Sequence, residues 1–177
     1  MKKILAINGS ASSHSSNQKI IDTFIQFSNG LFQVTVFNDL KSLPHFDPEL
    51  SNSNTPTSIL NFRDRVAEAD GILICTPEYI FSIPSGLKNV IEWCVSTTVF
   101  SNKPVGIITA SAQGEKGHEE LQLIMKTVMA NFTPDTTQLI QGIRGKTDRQ
   151  GNITDDPTKE LLVKFIHAFN KSLIENT

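Results

Sequence analysis

The chain is poor in cysteine, with only Cys75 and Cys94 among 177 residues. Two thiols cannot staple a domain of this size, so a disulfide framework is excluded and a reducing compartment is implied. Nor is there any apolar run near the ~20 residues that a membrane span requires. Behind Lys2-Lys3 the apolar stretch is only Ile4-Leu5-Ala6-Ile7, too short for the core of a signal peptide. No basic block occurs, and 16 Lys and Arg against 18 Asp and Glu leave a net charge of −2, which argues against a nucleic-acid surface. The apolar share of 38%, with ten glycines, is close enough to the globular norm to argue against disorder. These bounds predict one domain over residues 1–177, soluble and cytoplasmic, with no membrane or nucleic-acid partner.

What is present is an alternation of short apolar runs with helical patterns. Ile4–Ile7 reads as a buried strand, followed by a helix from about Ser16 with Ile20, Ile21, Phe24 and Ile25 on one face. Phe32, Val34 and Val36 alternate with polar residues, as an edge strand would. Thr55-Pro56 reads as an N-cap and first helical residue, and Ile72–Cys75 as a third strand. Pro84 opens another helix, and Val105–Ile108 is a fourth strand, followed by a helix striped by Leu121, Ile124, Val128 and Phe132. A weaker strand lies near Thr136–Ile140, and Asp156-Pro157 caps a last helix carrying Leu161 to Leu173. Five such units with near-continuous apolar strands predict an α/β fold, a parallel sheet covered by helices on both faces. The irregular stretches Asn38–Asn54 and Gln141–Asp155 are loops within it. Gly151 in Asp148–Asp156 has the look of a calcium loop, but the alternating oxygen ligands and terminal Glu are missing.

Ligands of open α/β sheets sit beyond the carboxyl ends of the strands. The first such loop, Asn8–Asn17, offers the hydroxyls of Ser10, Ser12, Ser13, Ser15 and Ser16 and the amide of Asn17 beside the start of a helix. Helix N–H groups and the helix dipole make that place an anion site. With no Lys or Arg in the loop, the charge must be met by hydrogen bonds and the dipole alone. The same residues also spell an ordinary connection in which Ser15-x-x-Gln18 is a capping box. Neither a Walker loop nor a Gly-x-Gly-x-x-Gly fingerprint follows the first strand, no cysteine stands there for a phosphatase loop, and no cluster has metal-ligand spacing. His14 belongs to the loop, while His45, His118 and His167 read as surface or turn residues. The second loop, Thr76–Pro84, is a proline-bounded path with an apolar pair that could support a flat heteroaromatic ring. The third, Thr109–Gly117, is small and glycine-bearing, which lets backbone approach a ligand. Each of these two also fits an ordinary connection.

Gly9-Ser10-x-x-x-x-Ser15-x-Asn17, together with Thr76-Pro77-Glu78-Tyr79-x-x-Ser82-x-Pro84-x-x-Leu87-Lys88-Asn89-x-Ile91-x-Trp93, resembles the NADPH-dependent FMN reductase family. The similarity extends through the third loop to the last helix. The resemblance implies a flavodoxin-like three-layer sandwich with strand order 2-1-3-4-5, which makes the three loops neighbours. It also implies an oxidoreductase that uses FMN and takes electrons from NADPH or NADH. The acceptor would be a small molecule such as a flavin, quinone, azo compound or metal oxyanion, and the assembly a homodimer or homotetramer. By position, Ser10, Ser12, Ser15, Ser16 and Asn17 would surround the FMN phosphate. Pro77, Glu78, Tyr79 and Ile80 would line the isoalloxazine, mostly through backbone, and Ser111 and Gly114 would approach its pyrimidine end. No catalytic acid, base, nucleophile or metal is implied.

Two departures stand out. The family usually has Arg where this chain has Ser12, and Asn followed by a small residue where it has Ile80-Phe81. Phe81 is therefore expected to overhang the flavin or to meet a partner subunit, and Trp93, Val99 and Phe100 are expected at a subunit interface, the alternative being that Val99 and Phe100 tuck under the domain's own edge. Cys75 and Cys94 read as core. Two alternatives stay open: a flavodoxin-type electron carrier, although carriers tend to be more acidic and lack Pro-Glu-Tyr, and a flavin-free binding protein, which would purify colourless.

Overall fold

A computed structural model describes residues 1–12, 15–148, 150 and 152–176. Five strands, β1 (Lys2–Asn8), β2 (Phe32–Phe37), β3 (Gly71–Thr76), β4 (Val105–Ser111) and β5 (Thr137–Gln141), form one parallel sheet in the order β2-β1-β3-β4-β5. The register runs Ile7 to Ile74 and Ile74 to Ile107, so the carboxyl ends of β1, β3 and β4 finish side by side. Five helices alternate with them: α1 (Ser16–Phe27), α2 (Thr57–Glu68), α3 (Ser85–Glu92), α4 (Glu115–Thr127) and α5 (Asp156–Glu175). The expected flavodoxin-like order is therefore present.

The central strands bury both faces, since residues 71–76 are all buried. Their alternate side chains feed two apolar layers. One contains Ile20, Ile21 and Phe24 of α1 with Phe165 and Phe169 of α5. Its rings meet with centroids 5.8–6.4 Å apart, as in Phe24 with Phe32 and with Phe169. The other contains Phe62 of α2, Leu87 and Val90 of α3, and Leu121 and Met125 of α4. Two glycines let α5 of the first layer approach the sheet closely. A Cβ at Gly106 would stand 2.6 Å from the Phe165 ring, and one at Gly71 2.6 Å from Leu173.

Several local expectations are corrected. Ile25 is exposed although it shares the spacing of the α1 core residues. Pro56 and Pro84 occupy the cap positions of α2 and α3, and Asp155 caps α5 by accepting the Thr158 N–H at 2.9 Å. The α4 stripe stops early because Met129 takes φ 59°, so Phe132 packs on the core from a loop. Trp93 and Phe100, expected at a subunit interface, are buried within the chain's own core, and Val99 packs against it. The polar run Ser96–Lys103 thus turns Phe100 into the apolar layer of α2, α3 and α4, with Val99 packed against it. Trp93 also donates its indole N–H to the Pro44 carbonyl at 2.9 Å, which spends its one polar atom internally.

Buried Arg63 explains how the 38–54 loop is held. Its guanidinium donates to the Ser51 and Trp93 carbonyls and to the hydroxyls of Ser51 and Ser96. Cys75 and Cys94 are free, buried thiols. Burial pushes the Cys94 thiol up to about 12 and the Cys75 thiol higher still, so both stay protonated and inert. The calcium-like Gly151 lies outside the described residues, as do Ser13, His14, Arg149 and Thr177. No helix among the described residues is long and apolar enough to cross a membrane.

Candidate functional site

Beyond the carboxyl ends of β1, β3, β4 and β5 lies an open cavity of about 550 Å³. That volume suits a cofactor-sized ligand. Its wall brings together Ser10, Ser12, Ser15, Ser16 and Asn17 from the first loop and α1, Pro77, Glu78 and Tyr79 from the second loop, and Ser111 from the third. Nine of the eleven residues singled out from sequence thus meet around one space. Ile80 and Gly114 do not line it. A smaller cavity of about 290 Å³ shares Ser10 and Tyr79 and is closed by Leu40, Lys41, His45 and the start of α3. The two spaces meet where the hydroxyls of Ser10 and Tyr79 lie 3.3 Å apart.

The first loop is tied down before it reaches the helix. Gly9 donates its N–H to the Cys75 carbonyl at 2.8 Å, and Ser10 donates its N–H to the Asn8 side chain at 3.0 Å. A Cβ on Gly9 would fall 2.4 Å from Thr76 Oγ1, so only glycine lets the first and second loops lie this close. Ser15 is the N-cap of α1, accepting the Gln18 N–H at 3.0 Å. The expected capping box is half made, because the Gln18 side chain pairs with Asn8 and Asp22 instead. The N–H groups of Ser16 and Asn17, in the first turn, have no acceptor within the helix, and both residues line the cavity.

Asn17 itself points inward. Its side-chain N–H₂ donates to the Ala110 carbonyl at 3.1 Å, and the Cys75 thiol donates to its Oδ1 at 3.3 Å. The side chain pins the positive end of α1 over the ends of β3 and β4, leaving the backbone N–H for a ligand. Asn17→Ala is accordingly expected to lower global stability by about 1–2 kcal/mol, the cost of an unpartnered buried carbonyl. Thermal denaturation of the ligand-free protein would show it; an unchanged melting curve would return the side chain to a purely ligand-binding role.

Glu78 explains why the second and third loops hold together. Its carboxylate accepts the N–H groups of Gly114 at 3.3 Å and Gly117 at 2.8 Å, which caps α4 and sets a negative charge at its positive end. Its own N–H donates to the Ser111 hydroxyl at 3.3 Å. Glu120 then anchors the far side of the loop, accepting from the Ser82 hydroxyl at 2.6 Å and the Ile83 N–H at 2.8 Å. Between these anchors, Tyr79 and Ser82 exchange backbone hydrogen bonds, and the two residues at the tip, Ile80 and Phe81, take φ 51° and 58°. They are 95% and 70% exposed and line neither cavity, so Phe81 does not overhang the site as expected.

His118, read from sequence as a surface or turn residue, sits half-buried on α4 with Nδ1 2.9 Å from the hydroxyl of buried Thr109. Burial holds its pKa below the usual histidine range, so the ring is neutral near pH 7. His45 stands in the smaller cavity, and His167 is exposed on α5.

What the sequence reading missed is the fourth contributor to the wall, residues 142–145 after β5. Gly142-Ile143-Arg144-Gly145 brackets a cation with two glycines directly behind a strand, and that pattern was the available signal. Among the described residues the polar groups of the wall are chiefly hydroxyls, N–H groups and this arginine, with Glu78 as the single acid, already satisfied by α4. Such a donor set receives an anion.

Residues 2–141 match the family model for NADPH-dependent FMN reductase. An NAD(P)H-dependent FMN reductase of Pseudomonas aeruginosa is 29% identical over 174 residues, covering 94% of this chain and 92% of that protein. A quinone reductase of Escherichia coli is 25% identical, covering 96% and 94%. Among solved structures, the flavoenzyme NAD(P)H:(acceptor) oxidoreductase FerB of Paracoccus denitrificans superposes with a TM-score of 0.85 at 23% identity, covering 99% of both chains. With its sheet order, its loop cluster and this match over most of its length, the chain belongs to the NADPH-dependent FMN reductase family and is an FMN-dependent NAD(P)H oxidoreductase.

Proposed function

We propose that FMN occupies the 550 Å³ cavity and that the whole chain, residues 1–177, works as one FMN-binding domain. The observation that carries this is the convergence of the loops after β1, β3 and β4 on a single donor-rich space. The residues fit the group at both ends. At one end the first-turn N–H groups of Ser16 and Asn17, with the hydroxyls of Ser10, Ser12 and Ser16, suit a phosphate held at a helix N-terminus. At the other, Pro77, Glu78 and Tyr79 present a stiff wall braced by α4, against which a flat ring can rest, while Ser111 offers a hydroxyl at its polar edge.

Bound FMN supplies the two-electron chemistry between a nicotinamide donor and an acceptor. The chain's own part is to hold, orient and keep the site open to solvent-borne partners. Among the described residues of the wall the one carboxylate, Glu78, is bound by two N–H groups, and Cys75, behind the wall, is a protonated core thiol. Ile80 and Gly114, assigned to the flavin from sequence, act instead at one remove in this reading: Ile80 at the tip of the second loop, Gly114 as the residue through which Glu78 is anchored.

The acceptor is a small molecule: a flavin, quinone, azo compound or metal oxyanion. Relatives named as quinone reductases favour a quinone. Assembly is a homodimer or homotetramer, with the exposed Ile80 and Phe81, rather than Trp93 and Phe100, available to a second copy. A cytoplasmic location agrees with two unpaired thiols. The test is anaerobic mixing of the FMN-loaded protein with NADPH or NADH while the oxidised flavin band is followed, then addition of a benzoquinone. Bleaching by a nicotinamide and recovery on quinone addition is expected. A flavin that binds but bleaches with neither nicotinamide would make the chain a carrier and overturn the proposal.

A further inference from the structure

Among the described residues the cavity wall contains one Lys or Arg, and it does not come from the loop at the head of α1. Arg144 stands in the short 3-10 turn Ile143–Lys146 behind β5. That turn is firmly placed. Gly142 enters it at φ 63° and donates its N–H to the Ala112 carbonyl at 3.1 Å; Gly145 donates back to Gly142 at 2.9 Å. Ile143 is 3% exposed and lies in the same apolar layer as Ile20 and Ile21 of α1. The turn and the N-terminus of α1 are therefore on one face of the sheet, over neighbouring strands, and both border the 550 Å³ cavity.

None of the ion pairs among the described residues includes Arg144. The only acid of the wall among the described residues, Glu78, has its two oxygens engaged by α4. An exposed guanidinium and the positive end of a helix share one concave space with no negative charge between them. Such an arrangement concentrates positive potential and lowers the energy of an anion placed there. A guanidinium also matches the oxygens of a phosphate in a two-pronged geometry that a helix end cannot offer.

We propose that Arg144 binds the 5′-phosphate of FMN, supplying from β5 the positive charge that the Asn8–Asn17 loop lacks. The inference rests on the assignment of FMN to this cavity. It makes the phosphate site a composite of the first and last β–α connections, with α1 contributing N–H donors and the turn contributing the charge.

Riboflavin, which is FMN without the phosphate, separates this role from any other. In fluorescence titrations of the flavin-free protein, Arg144→Ala should raise the Kd for FMN about 10- to 100-fold, the range of one charge-assisted hydrogen-bonding group, and leave riboflavin within about twofold. Arg144→Lys, which keeps the charge but not the fork, should fall between. Added salt should weaken FMN binding more in the wild type than in Arg144→Ala, because one screened contact is gone. An unchanged FMN Kd overturns the proposal, including the case in which only the KM for NADPH rises, which would place the arginine on the donor. Equal losses for both flavins would make it a structural residue and also overturn it. A wild type that binds FMN no better than riboflavin refutes the placement of the phosphate in this cavity, and with it the role of Arg144.

Discussion

Replacing Ile80 by Asn and Phe81 by Gly together should stabilise the protein by about 2 kcal/mol, raising its melting temperature by roughly 4–8 °C for a chain of this length. The reason lies in a two-residue hairpin turn. Tyr79 and Ser82 pair through both backbone hydrogen bonds, at 2.9 and 3.2 Å, and both residues between them have positive φ. That is the signature of a type I′ turn, which favours Asn-Gly because those residues enter the left-handed region with little steric penalty. A β-branched isoleucine and a phenylalanine do not, and each such residue costs about 1–3 kcal/mol. Part of the gain is offset because glycine frees the unfolded chain, by about 0.5–1 kcal/mol. No packing within the chain is lost, since the two side chains are 95% and 70% exposed on it. Differential scanning calorimetry on the flavin-free protein checks the prediction. A lower melting temperature would mean that the pair is buried against something, and light scattering on both forms would show whether that is a second copy. FMN affinity should not change, as neither residue lines the cavity.

The opposite outcome is expected at Gly9. Gly9→Ala should destabilise the protein by about 1–3 kcal/mol, as overpacking does, and weaken FMN and riboflavin together. The new Cβ would stand 2.4 Å from Thr76 Oγ1, 2.7 Å from Thr76 Cβ and 3.0 Å from Leu87. Thr76 is fully buried and close to its own backbone, so it cannot swing aside as a long side chain would. Either the first loop lifts off β3, breaking the Gly9 to Cys75 hydrogen bond, or the start of the second loop moves. Both displace one wall of the cavity relative to the other. Because the damage is to the shape of the whole space, it differs from the phosphate-selective loss expected at Arg144. Titration with the two flavins, beside a urea melt, distinguishes them. A variant that binds both as tightly as the wild type would show that the loops can part without cost.

The two cases bear on how much of this protein can be read without coordinates. Strand and helix order followed from hydrophobic period, because a buried parallel strand must be apolar throughout and a covering helix apolar on one side. Boundaries at Pro56, Pro84 and Asp155 were legible to within a residue, since proline and capping side chains act locally. The first, second and third loops were found because they stand directly after strands. Trp93, Val99 and Phe100 were misplaced because apolar residues in a polar stretch look the same whether they fold under the sheet or await a partner. Asn17 was found, but its side chain serves Ala110 and Cys75, partners 93 and 58 residues away.

Sequence by itself determined the alternation of elements, the apolar strands, the loops that carry the site and the family, because each is written in residues near one another along the chain. Only the tertiary structure decided that Glu78 clamps α4, that Ile80 and Phe81 stand strained and exposed outside the cavity, and that Arg144 lines the same cavity as the loop at the head of α1. Those outcomes depend on which strands become neighbours and on which face each turn emerges. Packing settles both over separations at which local patterns carry no information.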